Sequence, residues 1–293
     1  MQQNEARARL GAGMSILDGA TGTELEHRGI PTGLPLWSAA ALWEHPEALV
    51  AIHADYARAG VDFVTANTFR TQRRSLSRAG RGDEARSWTV RAVELAREGA
   101  AAAERPPLVL GSAPPLEDCY RPEDVPAADA LTREHRAHAE HLAEGGADAI
   151  LVETMNCISE AVSAVRAAVA VDLPCVVSFV CWDGAMLLSG EPLRDAIEAV
   201  RHFEPCGIAV NCLPPSNTRA CVDELAASGV PFGVYANLGE PNDEVGFTCS
   251  ETCSPEAFAR HAAEWAASGA RIVGGCCGTT PDHLREVVRT LRL

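Results

Sequence analysis

The chain has 293 residues, 47% of them hydrophobic, which is enough for one large core. A formal net charge of -15 argues against a nucleic-acid or anionic-membrane partner, because phosphate binding needs clustered Lys and Arg. Residues 1–13 are polar and charged with no apolar signal-type core, and no apolar run reaches the roughly 20 residues that span a bilayer. A cytoplasmic protein is therefore expected. Its 11 cysteines are then expected to be reduced, and their spacing is not that of a finger framework.

Residues 1–11 read as a disordered or helical lead, and 12–293 as one domain. Met14 to Leu17 predicts a short strand ending at Asp18-Gly19, which is also an ordinary turn signal. Residues 46–59 predict an amphipathic helix, with Pro46 near its start and Gly60 past its end. Val61 to Ala66 is the next strand, ending at Asn67-Thr68-Phe69, and residues 83–103 form an Ala-rich helix. Leu108 to Ser112 is a third strand, followed by a Pro-rich acidic loop carrying Cys119-Tyr120.

Residues 129–144 predict a helix with His135, His138 and His141 on roughly one face. A metal site there is rejected: the run is highly charged, reads as a solvated face, and precedes a strand rather than following one. Ala149 to Val152 is a fourth strand, ending at Glu153-Thr154-Met155, with a helix over 159–170. Cys175 to Val180 is the fifth, with a helix from Pro192 to His202. Gly207 to Val210 is the sixth, ending at Asn211-Cys212, with a helix over 216–228. Phe232 to Asn237 is the seventh, with a helix over about 255–268. Arg271 to Val273 is the eighth.

Short apolar strands alternating with helices imply parallel pairing with right-handed crossovers. Eight such units close an α/β (β/α)8 TIM barrel, a fold that commonly takes about 250 residues, so the length requires no second domain. Near-continuous apolar strands fit a sheet buried on both faces.

In such a barrel the site lies at the C-terminal ends of the strands. Asp18, Asn67, Glu153, Cys212, Cys276 and Cys277 all fall at predicted strand ends. Ile272-Val273-Gly274-Gly275-Cys276-Cys277-Gly278-Thr279-Thr280-Pro281 is the most informative stretch. Adjacent cysteines do not suit a mutual disulfide, and flanking glycines let the backbone approach a bound group. Two readings are open: two thiolates presented to one metal ion, or two small buried residues at a tight turn. Strands six and eight are near each other in a closed barrel, so Cys212 can join the pair. Three thiolates plus one open position is a catalytic zinc arrangement. Thr280 with Pro281 reads as a helix start, Thr279 as a second capping residue, and His283 as part of the first helical turn.

Gly274-Gly275-Cys276-Cys277-Gly278-Thr279-Thr280-Pro281-x-His283 resembles the signature of the homocysteine S-methyltransferase family. Asp18 to Leu25, Leu36-Trp37-Ser38, Asn67-Thr68-Phe69, Glu153-Thr154-Met155 and Asn211-Cys212 resemble that family's other blocks, in its order. The resemblance covers roughly residues 12–290. It implies a cytoplasmic enzyme with Cys212, Cys276 and Cys277 as ligands of one Zn2+ per chain. It also implies that Glu153 and Asp18 meet the acceptor's ammonium group, with Asn67 a further substrate-binding residue. Each has a plainer alternative: a turn for Asp18, an N-cap or salt bridge for Glu153, local backbone satisfaction for Asn67.

The implied reaction moves a methyl group from a sulfonium donor, S-methylmethionine or S-adenosylmethionine, to the thiol of homocysteine, giving methionine. Betaine and folate-with-cobalamin donors also occur in the family, but the chain has no room for the added modules of the latter. Ser178-Phe179 with the later Ser189 to Leu193, and Tyr235 to Glu240, resemble the S-methylmethionine-using branch. Gly111 to Tyr120 departs from that branch's Gly-Ser-Val-Gly-Pro-Tyr-Gly loop, and Leu238-Gly239 stands where Ser-Gly is more usual. Trp182 and Tyr235 are positioned either for cation–π contact with a cationic donor or for packing. A second reading keeps the zinc site but takes another thiol or a selenol such as selenocysteine, or demethylates a methylated sulfur compound. A non-enzymatic zinc or redox protein is disfavoured, because it gives Asp18 and Glu153 no reason to share the cysteines' rim. Cys175, Cys206 and Cys221 read as structural; Cys119, Cys157, Cys181, Cys249 and Cys253 receive no role.

Overall fold

The computed structural model describes residues 2–242, 246–249 and 253–292. Eight strands form the main sheet: β1 (Ser15–Ile16), β2 (Phe63–Ala66), β3 (Leu108–Ala113), β4 (Ala149–Met155), β5 (Cys175–Phe179), β6 (Gly207–Asn211), β7 (Phe232–Ala236) and β8 (Ile272–Gly275). Every pairing is parallel, in the order β1-β8-β7-β6-β5-β4-β3-β2. The seam between β1 and β2 is closed by a bridge from Leu17 to Phe63. There Asp18 N donates to Phe63 O at 3.0 Å, and Asp62 N to Ile16 O at 2.8 Å. The sheet is thus an α/β barrel of the TIM type, as the alternating pattern predicts.

Each strand is followed by a helix on the outside: Pro46–Ala59, Ala85–Ala100, Ala128–Glu144, Ile158–Ala170, Leu193–Arg201, Arg219–Ala227, Pro255–Ala267 and Pro281–Leu291. Sequence signals fix several ends. Pro46 opens the first of these helices, and Gly60 closes it in the left-handed conformation at φ 92°, which costs a residue without Cβ little. Ser254 accepts from Ala257 N at 3.3 Å to cap the helix that Pro255 opens.

Strand residues alternate between two cores, as a period of two requires. Leu108, Leu110, Ala149 and Leu151 point into the barrel. Val109, Ile150 and Val152 point out against the helices. Helix Gln2–Ala12 adds Ala6 and Leu10 to the inner cluster. Burying this apolar surface, at about 25 cal/mol per Å2, is what ties the N-terminal segment to the barrel.

Two expectations are corrected. β4 does not stop at Val152 but runs to Met155, with a register shift against β5 between Val152 and Met155. Glu153 therefore sits in a bulge within the strand, not after it. The histidine face of helix Ala128–Glu144 is not solvated: His135 and His138 are buried. His135 Nε2 meets Glu160 Oε1 at 3.1 Å, and His138 Nε2 donates to Ser112 O at 2.9 Å. One nitrogen of each ring has a buried partner; charge density along the sequence does not reveal that pairing.

Candidate active site

A cavity of about 1060 Å3 opens at the C-terminal ends of the strands. Its size lies at the upper end of the roughly 300–1,000 Å3 typical of ligand pockets. Asp18, Asn67, Glu153, Cys212, Cys276 and Cys277 all line it, so the structure brings all six predicted residues together.

The cysteines come from two strands that both border β7. Cys212 follows β6 directly and has φ 55°, a strained conformation for a residue with a Cβ. Its Sγ lies 3.1 Å from Cys276 Sγ. Asn211 holds this turn from behind. Its Nδ2 donates to Thr154 Oγ1 at 2.8 Å and to Cys212 Sγ at 3.5 Å. Its Oδ1 accepts from Thr154 N at 3.1 Å and Ser178 Oγ at 2.7 Å. Thr154 is itself strained at φ 59°, so one amide side chain ties the Glu153 bulge to the Cys212 turn. Asn211→Ala strands buried partners and should destabilise the fold by about 1–3 kcal/mol, read as a lowered urea midpoint at unchanged slope.

Cys276 and Cys277 sit in a turn held by Thr279. Thr279 Oγ1 donates to Cys276 O at 2.6 Å, and Tyr56 Oη donates to Thr279 O at 3.1 Å. Thr279 thus closes the cysteine turn instead of capping the helix. Thr280 caps it alone, in a capping box in which its N donates to His283 Nδ1 at 3.2 Å. His283 Nε2 donates to Cys253 O at 3.1 Å. Gly275 is required here: a Cβ on it would lie 2.2 Å from Thr279 Oγ1 and 2.7 Å from Thr279 Cβ. Gly275→Ala should therefore cost about 1–3 kcal/mol of overpacking strain, measurable by urea unfolding.

The thiols share their protons unequally. Hydrogen bonds from Cys276 and Cys277 pull the Cys212 thiol down to about 5, against burial. Cys276 and Cys277 are held well above the ordinary thiol range, first by donating to Cys212. Of the three, Cys212 is thus the thiol whose ionised form the neighbours favour, because the other two donate to it.

The carboxyls lie on the other walls. Asp18 accepts from Thr65 N at 2.7 Å and Thr65 Oγ1 at 2.8 Å, yet burial raises it to about 7. Glu153 accepts from Ser112 Oγ, and burial raises it to about 8, with Cys276 and Asp18 adding repulsion. Two buried carboxyls with so little protein compensation suit a cationic ligand. Asn67 is used differently: its Oδ1 accepts from Ser38 Oγ at 2.7 Å and its Nδ2 donates to Ser38 O at 2.9 Å. It ties the Trp37-Ser38 segment to the end of β2.

Tyr235 lines the cavity, but Trp182 does not; Trp182 packs edge-on against Tyr120 with centroids 6.2 Å apart. Cys119 lines the cavity as well. Cys175, Cys206 and Cys221 are buried, Cys157 precedes helix Ile158–Ala170, and the side chain of Cys249 lies outside the described residues. Sequence reading gave no role to Thr65 and Ser112, and took Ser178 only as part of a resembling stretch. The available signal was a hydroxyl interrupting an apolar strand, since a buried hydroxyl needs a partner.

Among the described residues, no group of three or more His, Cys, Asp or Glu is already arranged to hold a metal ion. The Cys212 and Cys276 sulfurs are in mutual contact rather than around a gap. The donor chemistry nonetheless fits: three soft sulfur donors converge, which suits zinc.

Fold and site together define an α/β-barrel enzyme with a thiol cluster and two buried carboxyls in one strand-end cavity. The family model described as homocysteine S-methyltransferase matches residues 15–291, and the chain belongs to that family of methyltransferases. It is 36% identical to the homocysteine S-methyltransferase of Escherichia coli (strain K12), covering 97% of each chain. It is 31% identical to homocysteine S-methyltransferase YbgG of Bacillus subtilis (strain 168), covering 94% of each. The crystal structure of the homocysteine methyltransferase MmuM from Escherichia coli, metallated form, matches with a TM-score of 0.82 at 30% identity, covering 94% of this chain and 95% of that one.

Proposed function

We propose that the protein is a zinc-dependent methyltransferase that moves a methyl group from a sulfonium donor to the thiol of homocysteine, giving methionine. The observation that carries this reading is the meeting of Cys212, Cys276 and Cys277 with Asp18 and Glu153 in one cavity. The metallated form of the Escherichia coli structure supports a metal here; zinc, one per chain, is our assignment from the three-thiol donor set. When bound through these thiols, zinc acts as a Lewis acid that keeps an acceptor thiol ionised near neutral pH.

The chain's own residues do the rest. Glu153 and Asp18 hold the acceptor's ammonium group, which fixes its sulfur near the thiol trio. Ser112 and Thr65 orient those two carboxylates. Asn67 keeps the Trp37-Ser38 segment over the cavity. A sulfonium donor leaves as a neutral sulfide, so no general acid is needed at the leaving group. Orientation of two bound substrates supplies the main acceleration, worth up to about 7–11 kcal/mol in well-aligned systems. S-methylmethionine and S-adenosylmethionine are the donors proposed.

A second acceptor is favoured by one observation. The chain is 28% identical to a selenocysteine Se-methyltransferase of Brassica oleracea var. italica, covering 95% of this chain and 89% of that one. A selenol would use the same groups.

The test is metal content with a donor screen on reduced protein. Zinc per chain is measured, then methionine formed from homocysteine with S-methylmethionine, S-adenosylmethionine, betaine or dimethylsulfoniopropionate. About one zinc and methionine from a sulfonium donor is the expected result. Zinc without methionine from any donor would shift the acceptor to a selenol or another thiol, and absence of zinc from reduced protein would overturn the reading.

A further inference from the structure

Two arginines line the cavity, and they differ in one respect. Arg121 reaches Glu123 at 3.3 Å and Asp124 at 3.1 Å. Arg70 has no ion pair or hydrogen bond to any described residue, and its Nε is buried without a partner. The chain carries 40 acidic and 25 basic side chains, all of the latter arginines. In so acidic a chain, a guanidinium left without a carboxylate among the described residues is informative. A buried N–H with no partner is costly, and a bound group that accepts from it removes that cost.

The surroundings hold Arg70 ready. Asn67 is bonded to Ser38. Thr68 Oγ1 donates to Ser112 O at 2.8 Å, and Thr71 Oγ1 is 2.8 Å from Thr89 Oγ1. Arg70 is thus carried on a loop pinned on both sides. Its guanidinium carbon lies 5.8 Å from the Phe69 ring centroid. Phe69 in turn meets Trp37 edge-on at 6.2 Å, and Trp37 Nε1 is a second buried N–H donor without a partner. Arg70 and Trp37 thus bring N–H donors without a described partner to the lining of the cavity, to which Asp18 and Glu153 bring carboxyls.

We propose that Arg70 is a specificity residue that takes the carboxylate of a bound substrate, so that the cavity reads a zwitterion rather than a bare amine. This rests on the amino-acid substrates assigned above. A planar guanidinium matches a carboxylate through two parallel hydrogen bonds, and a site built for that group rejects an analogue lacking it. Acceptor and donor both carry a carboxylate, and the experiment separates them.

Binding is measured by calorimetry on zinc-loaded wild type, Arg70→Gln and Arg70→Lys. The ligands are homocysteine against 3-aminopropane-1-thiol, and S-methylmethionine against (3-aminopropyl)dimethylsulfonium. Each pair differs only in the carboxylate. Arg70→Gln is expected to weaken the carboxylate-bearing member of one pair roughly 10- to 100-fold and leave its partner unchanged. The affected pair names the substrate that Arg70 holds, and Arg70→Lys recovers part of the loss. Equal weakening of both members, or unchanged binding of both carboxylated ligands at normal zinc content and Tm, overturns the proposal, as does wild type that distinguishes neither pair. Methionine formation is scored separately: its absence, with the Arg70→Gln effect intact, overturns the reaction and sustains the carboxylate site.

Discussion

Replacing Cys212, Cys276 or Cys277 by Ser is expected to abolish zinc retention and methyl transfer while the barrel stays folded. A serine hydroxyl is a hard donor that does not ionise near neutral pH, so each change removes one thiolate from a set of three. The metal's contribution to the reaction is several kcal/mol, so loss of turnover on the order of 1000-fold or more follows. The fold survives because the three side chains lie in the cavity and not in the helix–strand core. Far-UV circular dichroism, zinc analysis and initial rates check the three parts separately. Wild-type activity in any one variant would sink the ligand assignment. Cys212→Ser should also change the metal-free protein most, because the lowered thiol is the one at Cys212. Thiolate absorbance near neutral pH should fall in that variant.

Glu153→Ala is expected to raise the acceptor's KM roughly 10- to 100-fold, the size of a charge-assisted hydrogen bond of about 1.5–3 kcal/mol, with zinc content unchanged. Unchanged kinetics would make Glu153 structural. The pH dependence follows from the same burial. In the empty cavity Asp18 titrates at about 7 and Glu153 at about 8, both above the ordinary carboxylate range. An ammonium ligand needs them ionised, so at pH 6 binding must first displace their protons. Acceptor affinity should therefore rise with pH through about 7 to 8 and then level off. Glu153→Gln should remove the upper part of that rise. The linkage to stability has the opposite sign from a salt-bridged carboxylate. The native state holds these protons above the pH at which the unfolded chain releases them, so stability of the empty protein falls as pH rises towards 8. Glu153→Gln should flatten that fall in a pH series of urea midpoints.

Much of this protein is legible without coordinates, for a local reason. Parallel strands covered on both faces must be apolar throughout, and helices covered on one face must be amphipathic. The eightfold alternation therefore states the barrel, and the barrel states that strand ends carry the site. Asp18, Cys212, Cys276 and Cys277 follow from that rule together with the Gly-Gly-Cys-Cys-Gly signature. Helix ends were legible for the same reason: Pro46, Gly60, Thr280 and Pro281 act on their own neighbours.

What only the tertiary structure decided are the meetings between polar side chains distant in the chain. Cys212 and Cys276 are 64 residues apart and meet because β6 and β8 both border β7. The bulge that places Glu153 inside β4 depends on register against β5. His135 and His138, on a helix that reads as solvated, are buried because Glu160 on the next helix and Ser112 O on β3 await them. Thr279 closes a turn, Asn67 ties down a loop and Arg70 stays unpaired among the described residues through contacts set by how the barrel closes. Apolar periodicity is written in each segment, because it follows from which face meets water. Partnership of polar groups is not, because it depends on register and closure, which no single segment contains.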